Sequence, residues 1–169
     1  NNIELTGSVF LKPANEIGEI INVCKENNIE LTGSVFLKPA NEIGEIINVC
    51  KENNIDLTGS IFLKSAKQLQ INIDYIKNNY GVEYLTPLIV CKNLKQLQEI
   101  MPYLKKKGVL EVLINSASIL TLKLDEVKDR EEFILSIGET ITTNGKFNSI
   151  FGLSRKNYQI KKEKYMVIK

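Results

Sequence analysis

Residues 1–26, NNIELTGSVFLKPANEIGEIINVCKE, recur letter for letter at 27–52. A third unit opens at 53–64 as NNIDLTGSIFLK, changed only conservatively. Beyond it the copies drift yet keep step. Residues 58–85 align with 86–113 without a gap, 116–138 follow with a one-residue deletion, and 147–165 keep the opening. Six units result: 6–31, 32–57, 58–85, 86–115, 116–146 and 147–169. A unit this small cannot bury its own apolar face and must cover it with a neighbour. A period of 26–30 residues therefore predicts a solenoid.

The punctuation within a unit predicts two helices. Thr86-Pro87 pairs an N-cap residue with proline at the first helical position, and Thr32 and Thr58 hold the equivalent place. TGSVFLK thus reads as a short helix A. Ser65-Ala66-Lys67-Gln68 is a capping box before an apolar run, and Pro13 and Pro39 mark the same start in the identical copies. Helix B then runs from about Ala40 to Glu52. Ile43, Ile46, Ile47 and Cys50 lie at i, i+3, i+4, i+7, one face of a helix. Leu69, Asn72, Ile73 and Ile76 repeat that face, as do Leu97, Ile100, Met101 and Leu104. Asn53-Asn54, Gly81 and Gly108 are stop signals. The rival is a strand and a helix per unit, as in leucine-rich repeats, but LxxLxLxxN is not kept. The expected fold is all-α, an α-solenoid of about six two-helix repeats of 26–30 residues. Tandem repeats fill 1–146, and 147–169 form a basic C-terminal capping repeat.

In that last unit Lys162 and Tyr165 replace Ile73 and Ile76, the polar outer face expected where no further unit follows. TITTNGK (140–146) reads as a longer loop feeding the cap. A start inside a repeat, without an initiator Met, predicts an excised piece of a longer protein.

Composition narrows the chemistry. Histidine is absent, which removes Ser-His-Asp and Cys-His catalysis and the common zinc sets. No GxxxxGK[ST], GxGxxG or CxxC occurs, so no enzyme activity, metal or cofactor is expected. Cys24, Cys50 and Cys91 are an odd set without a secretory pattern and read as small buried hydrophobes in a reducing, cytoplasm-like compartment. No apolar run approaches the ~20 residues that span a bilayer.

SILTLKLDEVKDREEFILSIG (118–138) is similar to the repeat of the mitochondrial transcription termination factor family. That family favours proline, Ile/Leu and Leu before a B-type helix ending near glycine. Ala117 stands where the proline would be. The resemblance covers the fifth unit best and the fourth in part. It implies a curved helical superhelix and nucleic acid on a concave basic surface.

Charge is uneven along the chain. Each identical copy has two lysines against four glutamates, net −2. Residues 53–113 have 8 basic against 5 acidic groups, net +3, and 114–141 have 3 against 6, net −3. Residues 142–169 have 7 against 1, net +6. Lys12, Lys38, Lys64 and Lys92 recur at the A–B junction, where a row of lysines suits successive phosphates. A solvated row inherited by duplication is the more ordinary reading, since like-charged rows on a surface are common. Lys67 and Lys95 share one helix-B position, held by Asn15 and Asn41 in the first two copies. Arg155, Lys156, Lys161, Lys162 and Lys164, interleaved with Tyr158 and Tyr165, suit a nucleic-acid backbone and stacked bases, or else a soluble cap. DEVKDREEF (125–133) reads as a solvated helix face with i, i+4 pairs such as Glu126–Arg130. Gly18 and Gly44 fall mid-helix, either at a close helix approach or at positions never optimised. The leading expectation is a nucleic-acid-binding scaffold; the alternative is a protein-binding one that uses the acidic repeats.

Overall fold

The computed structural model describes residues 12–167. Seven α-helices are present among them: α1 (Ala14–Glu26), α2 (Ala40–Glu52), α3 (Ala66–Asn79), α4 (Pro87–Val90), α5 (Leu94–Lys106), α6 (Leu124–Ser136) and α7 (Arg155–Val167). The single sheet among the described residues is the two-stranded pair β1 (Thr142–Thr143) and β2 (Lys146–Phe147). The fold is an all-α helical repeat. The chain divides into two compact units, one running to Cys91 and one from Lys92 onward.

In the first unit α1 packs on α2 and α2 on α3. Helix B of the second copy spans Ala40–Glu52 as the periodicity predicts, and Ile43, Ile46, Ile47 and Cys50 are its buried residues. Leu69, Asn72, Ile73 and Ile76 of α3 follow the same pattern. Each buried isoleucine is worth about 1.5–3 kcal/mol of transfer free energy, so this stripe carries the stacking. Asn54 takes φ +54°, and the amides of Asn54 and Ile55 bond back to the carbonyls of Lys51 and Cys50. This Schellman closure seats buried Ile55 against the helix end, and Asn28-Ile29 repeats it on Lys25 and Cys24.

Helix A is shorter than expected. Its second and third copies are single 3₁₀ turns, Val35–Leu37 and Ile61–Leu63, while the first copy lies outside the described residues. The extended residue ahead of helix B sets the limit in both copies, Lys64 taking φ −109°, ψ 158° before Ser65 much as Lys38 does before Pro39. Pro39 reinforces that geometry at Lys38, φ −114°, ψ 150°, which ends the turn. Thr32 and Thr58 do not cap it. Their hydroxyls pair with Ser34 and Ser60 instead, at 2.8 and 3.0 Å. Only Thr86-Pro87 starts an α-helical piece, four residues long, with no cap bond from the Thr86 side chain. Each turn still buries two apolar anchors, Val35 and Phe36, Ile61 and Phe62, Ile89 and Val90.

In the second unit α5 packs on α6, and Leu97, Ile100, Met101 and Leu104 are buried as expected. Three expectations are corrected here. First, 125–133 is not a solvated face, since Val127, Arg130, Glu131 and Phe133 are buried. Arg130 is 1% exposed. Its Nη1 donates to the carbonyls of Ile150 (2.7 Å), Phe151 (3.3 Å) and Leu153 (2.8 Å), and its guanidinium lies over the Tyr158 ring. Arg130 holds the helix position of Asn72, whose Nδ2 donates to the Val90 carbonyl at 2.7 Å. One site on helix B thus clasps the next unit's turn in both places. Second, 140–146 is no plain loop. Asn144 and Gly145 both take positive φ, the combination a tight two-residue hairpin requires. Third, Lys162 and Tyr165 face outward only in part, Tyr165 being 43% exposed. Lys162 turns onto Asp129, and the Tyr165 ring meets Phe133 at 5.8 Å.

Cys24 and Cys50 are buried as expected, and burial raises both thiol pKa values, that of Cys50 to about 11 with Cys91 adding to it. Cys91 is only half-buried and faces Ser60.

Candidate nucleic-acid interface

The junction lysines stand immediately before the helix-B starts: Lys12 before Pro13 of α1, Lys38 before Pro39 of α2, Lys64 before Ser65 of α3. Lys92 precedes Asn93, the N-cap of α5, in the second unit. A helix start carries partial positive charge, so each lysine adds to a dipole of its own sign.

The copies differ in what meets that charge. Lys12 is paired with Glu16, and Lys38 with Glu42 at 2.8 Å, both i, i+4 contacts. The acidic repeats therefore neutralise their own junction lysines. In the third unit Gln68 replaces that glutamate and serves the capping box with Ser65. No ion pair forms at Lys64 among the described residues. In the fourth unit the position is Gln96, whose amide donates to the Leu122 carbonyl at 3.4 Å. The loss of one carboxylate thus separates the third and fourth junctions from the first two.

Lys67 is exposed on the first turn of α3, and Lys95 on that of α5, 3.9 Å from Glu99. Lys95 and Glu99 line a groove of about 620 Å³ with Asn93, Gln96, Lys123 and Asp125. Lys123, the N-cap of α6, escapes the sequence reading because it aligns with Ser65, one place past the junction position that Leu122 holds. A second lysine row was also missed. Lys51 Nζ donates to Asn27 Oδ1 at 2.7 Å, and Lys77 to Asn53 at 3.2 Å, each reaching back one repeat. The asparagine amides close on Val23 and Val49 of their own helices. The doubled Asn-Asn is therefore a joint between repeats as well as a stop signal.

The basic cluster of α7 is split. Lys156 is exposed and Lys161 half-exposed. Arg155 Nε donates to Glu126 Oε1 at 2.5 Å, and Lys162 Nζ to Asp129 Oδ1 at 2.5 Å. The Arg155 hydrogen bond, then the Lys123 amide, hold the Glu126 carboxyl below its ordinary pKa. Burial alone would raise Asp129, but hydrogen bonds from Lys162 and Tyr158 outweigh it and lower the carboxyl. Tyr158 is itself buried, so it offers no face for a stacked base. Glu131 goes the other way. Burial, with Glu132 beside it, raises its pKa although Lys107 Nζ lies 2.6 Å away and Tyr103 donates to it.

No described helix is long and apolar enough to cross a membrane. No protein-family model, curated protein or solved structure matches the chain.

Proposed function

We propose that the chain is a non-enzymatic repeat module that binds nucleic acid through the helix-B starts of its third and fourth units and through α7. The observation that carries this reading is the exchange of Glu16 and Glu42 for Gln68 and Gln96. It leaves Lys64 and Lys67 without a neighbouring carboxylate at a helix start. Lysine beside a helix N-terminus is chemistry suited to phosphate oxygens, and it takes any base sequence. The likeness of the fifth unit to the termination-factor repeat points the same way.

Fluorescence anisotropy against labelled random duplex and single-stranded oligonucleotides, across a salt series, tests it. Binding should weaken linearly in log salt, and Lys64→Glu with Lys67→Glu should lower affinity for every sequence and flatten the slope. Absence of binding at low salt overturns the reading. A protein-binding scaffold then stands instead, favoured by Leu37 and Leu63. These leucines hold equivalent places on successive turns and are 56% and 60% exposed.

A further inference from the structure

Helix α7 carries the densest positive charge of the chain, yet it is the least firmly seated helix of its unit. Tyr158 is its one buried side chain among the described residues, while Ile160 and Tyr165 remain 42% and 43% exposed. A cleft of about 310 Å³, walled by Asp129, Phe133 and Ile137 of the α6 segment and by Lys162 and Tyr165, separates the two helices over part of their length. Two kinds of contact join them: charge, with Arg155 to Glu126, Lys162 to Asp129 and the Tyr158 hydroxyl to Asp129 at 2.7 Å, and rings, with Phe133 edge-on to Tyr158 and Tyr165 at 5.8 Å each. Two carboxylates i, i+3 apart on α6 thus meet two cations i, i+7 apart on α7. A carboxylate pair offers Arg and Lys the same anionic acceptor oxygens as a nucleic-acid backbone.

We propose that this docking is an autoinhibitory contact. Resting on the nucleic-acid reading, it holds that α6 occupies Arg155 and Lys162 as an internal stand-in for phosphate, and that a bound strand displaces α6 and releases α7. The chain is built for such a swing. Arg130 fixes the carbonyls of Ile150, Phe151 and Leu153, so the segment just before α7 stays anchored while the helix moves at Ser154. Exposed Lys156 and Lys164 remain outside the latch and give an incoming polyanion its first contacts.

The test compares two variants of equal charge. Glu126→Gln with Asp129→Asn opens the latch. Glu45→Gln with Glu52→Gln removes two exposed charges from α2, outside the latch. Anisotropy against labelled oligothymidylate and random duplex should show the latch variant binding about fourfold more tightly than the charge control, since two exposed ion pairs weigh about twofold each. Equal affinity of the two variants, with wild-type binding intact, overturns the latch and leaves the nucleic-acid reading standing. Failure of all three proteins to bind overturns both. Hydrogen exchange of the wild type needs no variant. Amides of α7 should lose protection when oligothymidylate is added while those of α6 keep theirs, and an α7 that stays protected in the bound state refutes the release.

Discussion

Replacing Gly18 and Gly44 with alanine should stabilise the protein, and the size of the gain follows from the geometry. Both glycines lie inside thirteen-residue helices, and a Cβ built on either meets nothing within 4 Å. The long polar side chains of Gln70 and Gln98 hold the same place in α3 and α5. No close helix approach therefore requires glycine, and each position gives up about 1 kcal/mol relative to alanine. The two sites share no partner, so their effects should add to about 2 kcal/mol. For a domain of this size that is a rise of about 4–8 °C in Tm. Urea denaturation should show a higher midpoint at unchanged slope. Gly81→Ala provides the opposite sign. Its φ of +118° is one that L side chains rarely adopt, and a Cβ there runs into the Glu83 carboxylate. A loss of about 1 kcal/mol or more is expected from it. An unchanged or lowered Tm for the Gly18→Ala, Gly44→Ala double variant would refute the reasoning.

Arg130→Met removes the donor to three carbonyls in a buried setting and should cost about 3 kcal/mol, read as loss of cooperative unfolding or a lower urea midpoint; a surface-like effect below ~0.5 kcal/mol contradicts its role. Acid should loosen the α6–α7 contact. Glu126 and Asp129 have lowered pKa values in the folded chain, so their stabilisation is present above the unfolded carboxyl values and is lost as pH falls through the folded ones, from about pH 5 downward. Glu131, raised by burial, opposes that trend, since folding favours its protonated form. Hydrogen exchange of α7 on descending pH checks the sign, and constant protection down to about pH 2 contradicts it. Iodoacetamide on the native protein should label half-buried Cys91 well before buried Cys24 and Cys50, as peptide mass mapping would show; equal rates contradict the burial assigned here.

Much of helix B was legible because its information is local. The apolar positions of α2, α3 and α5 sit at helical spacing, and the Ser65–Gln68 box lies within four consecutive letters. The hairpin at Asn144-Gly145 has local turn letters as well, but its flanking strands are two residues each, too short to show an alternating pattern. Helix A is over-read when the Thr86-Pro87 start is carried to the other copies, because TGSVFLK is poor in strong helix formers and the extended Lys38 leaves room for one 3₁₀ turn.

The candidate site was less legible, for a different reason. Lysines at equivalent letters are not equivalent charges. Lys38 finds Glu42 four residues on, a pairing visible along one helix, but Arg155 finds Glu126 across 29 residues and Lys162 finds Asp129 across 33. Arg130 looked like a surface partner of Glu126 until the Ile150–Leu153 carbonyls closed over it. By itself, then, the sequence determined the repeat, its helix-B faces and their caps, since periodicity and capping act over a turn or two of helix. Which charges face solvent and which are spent on a neighbouring helix was decided only by tertiary packing, because those partners meet when one repeat is laid against the next.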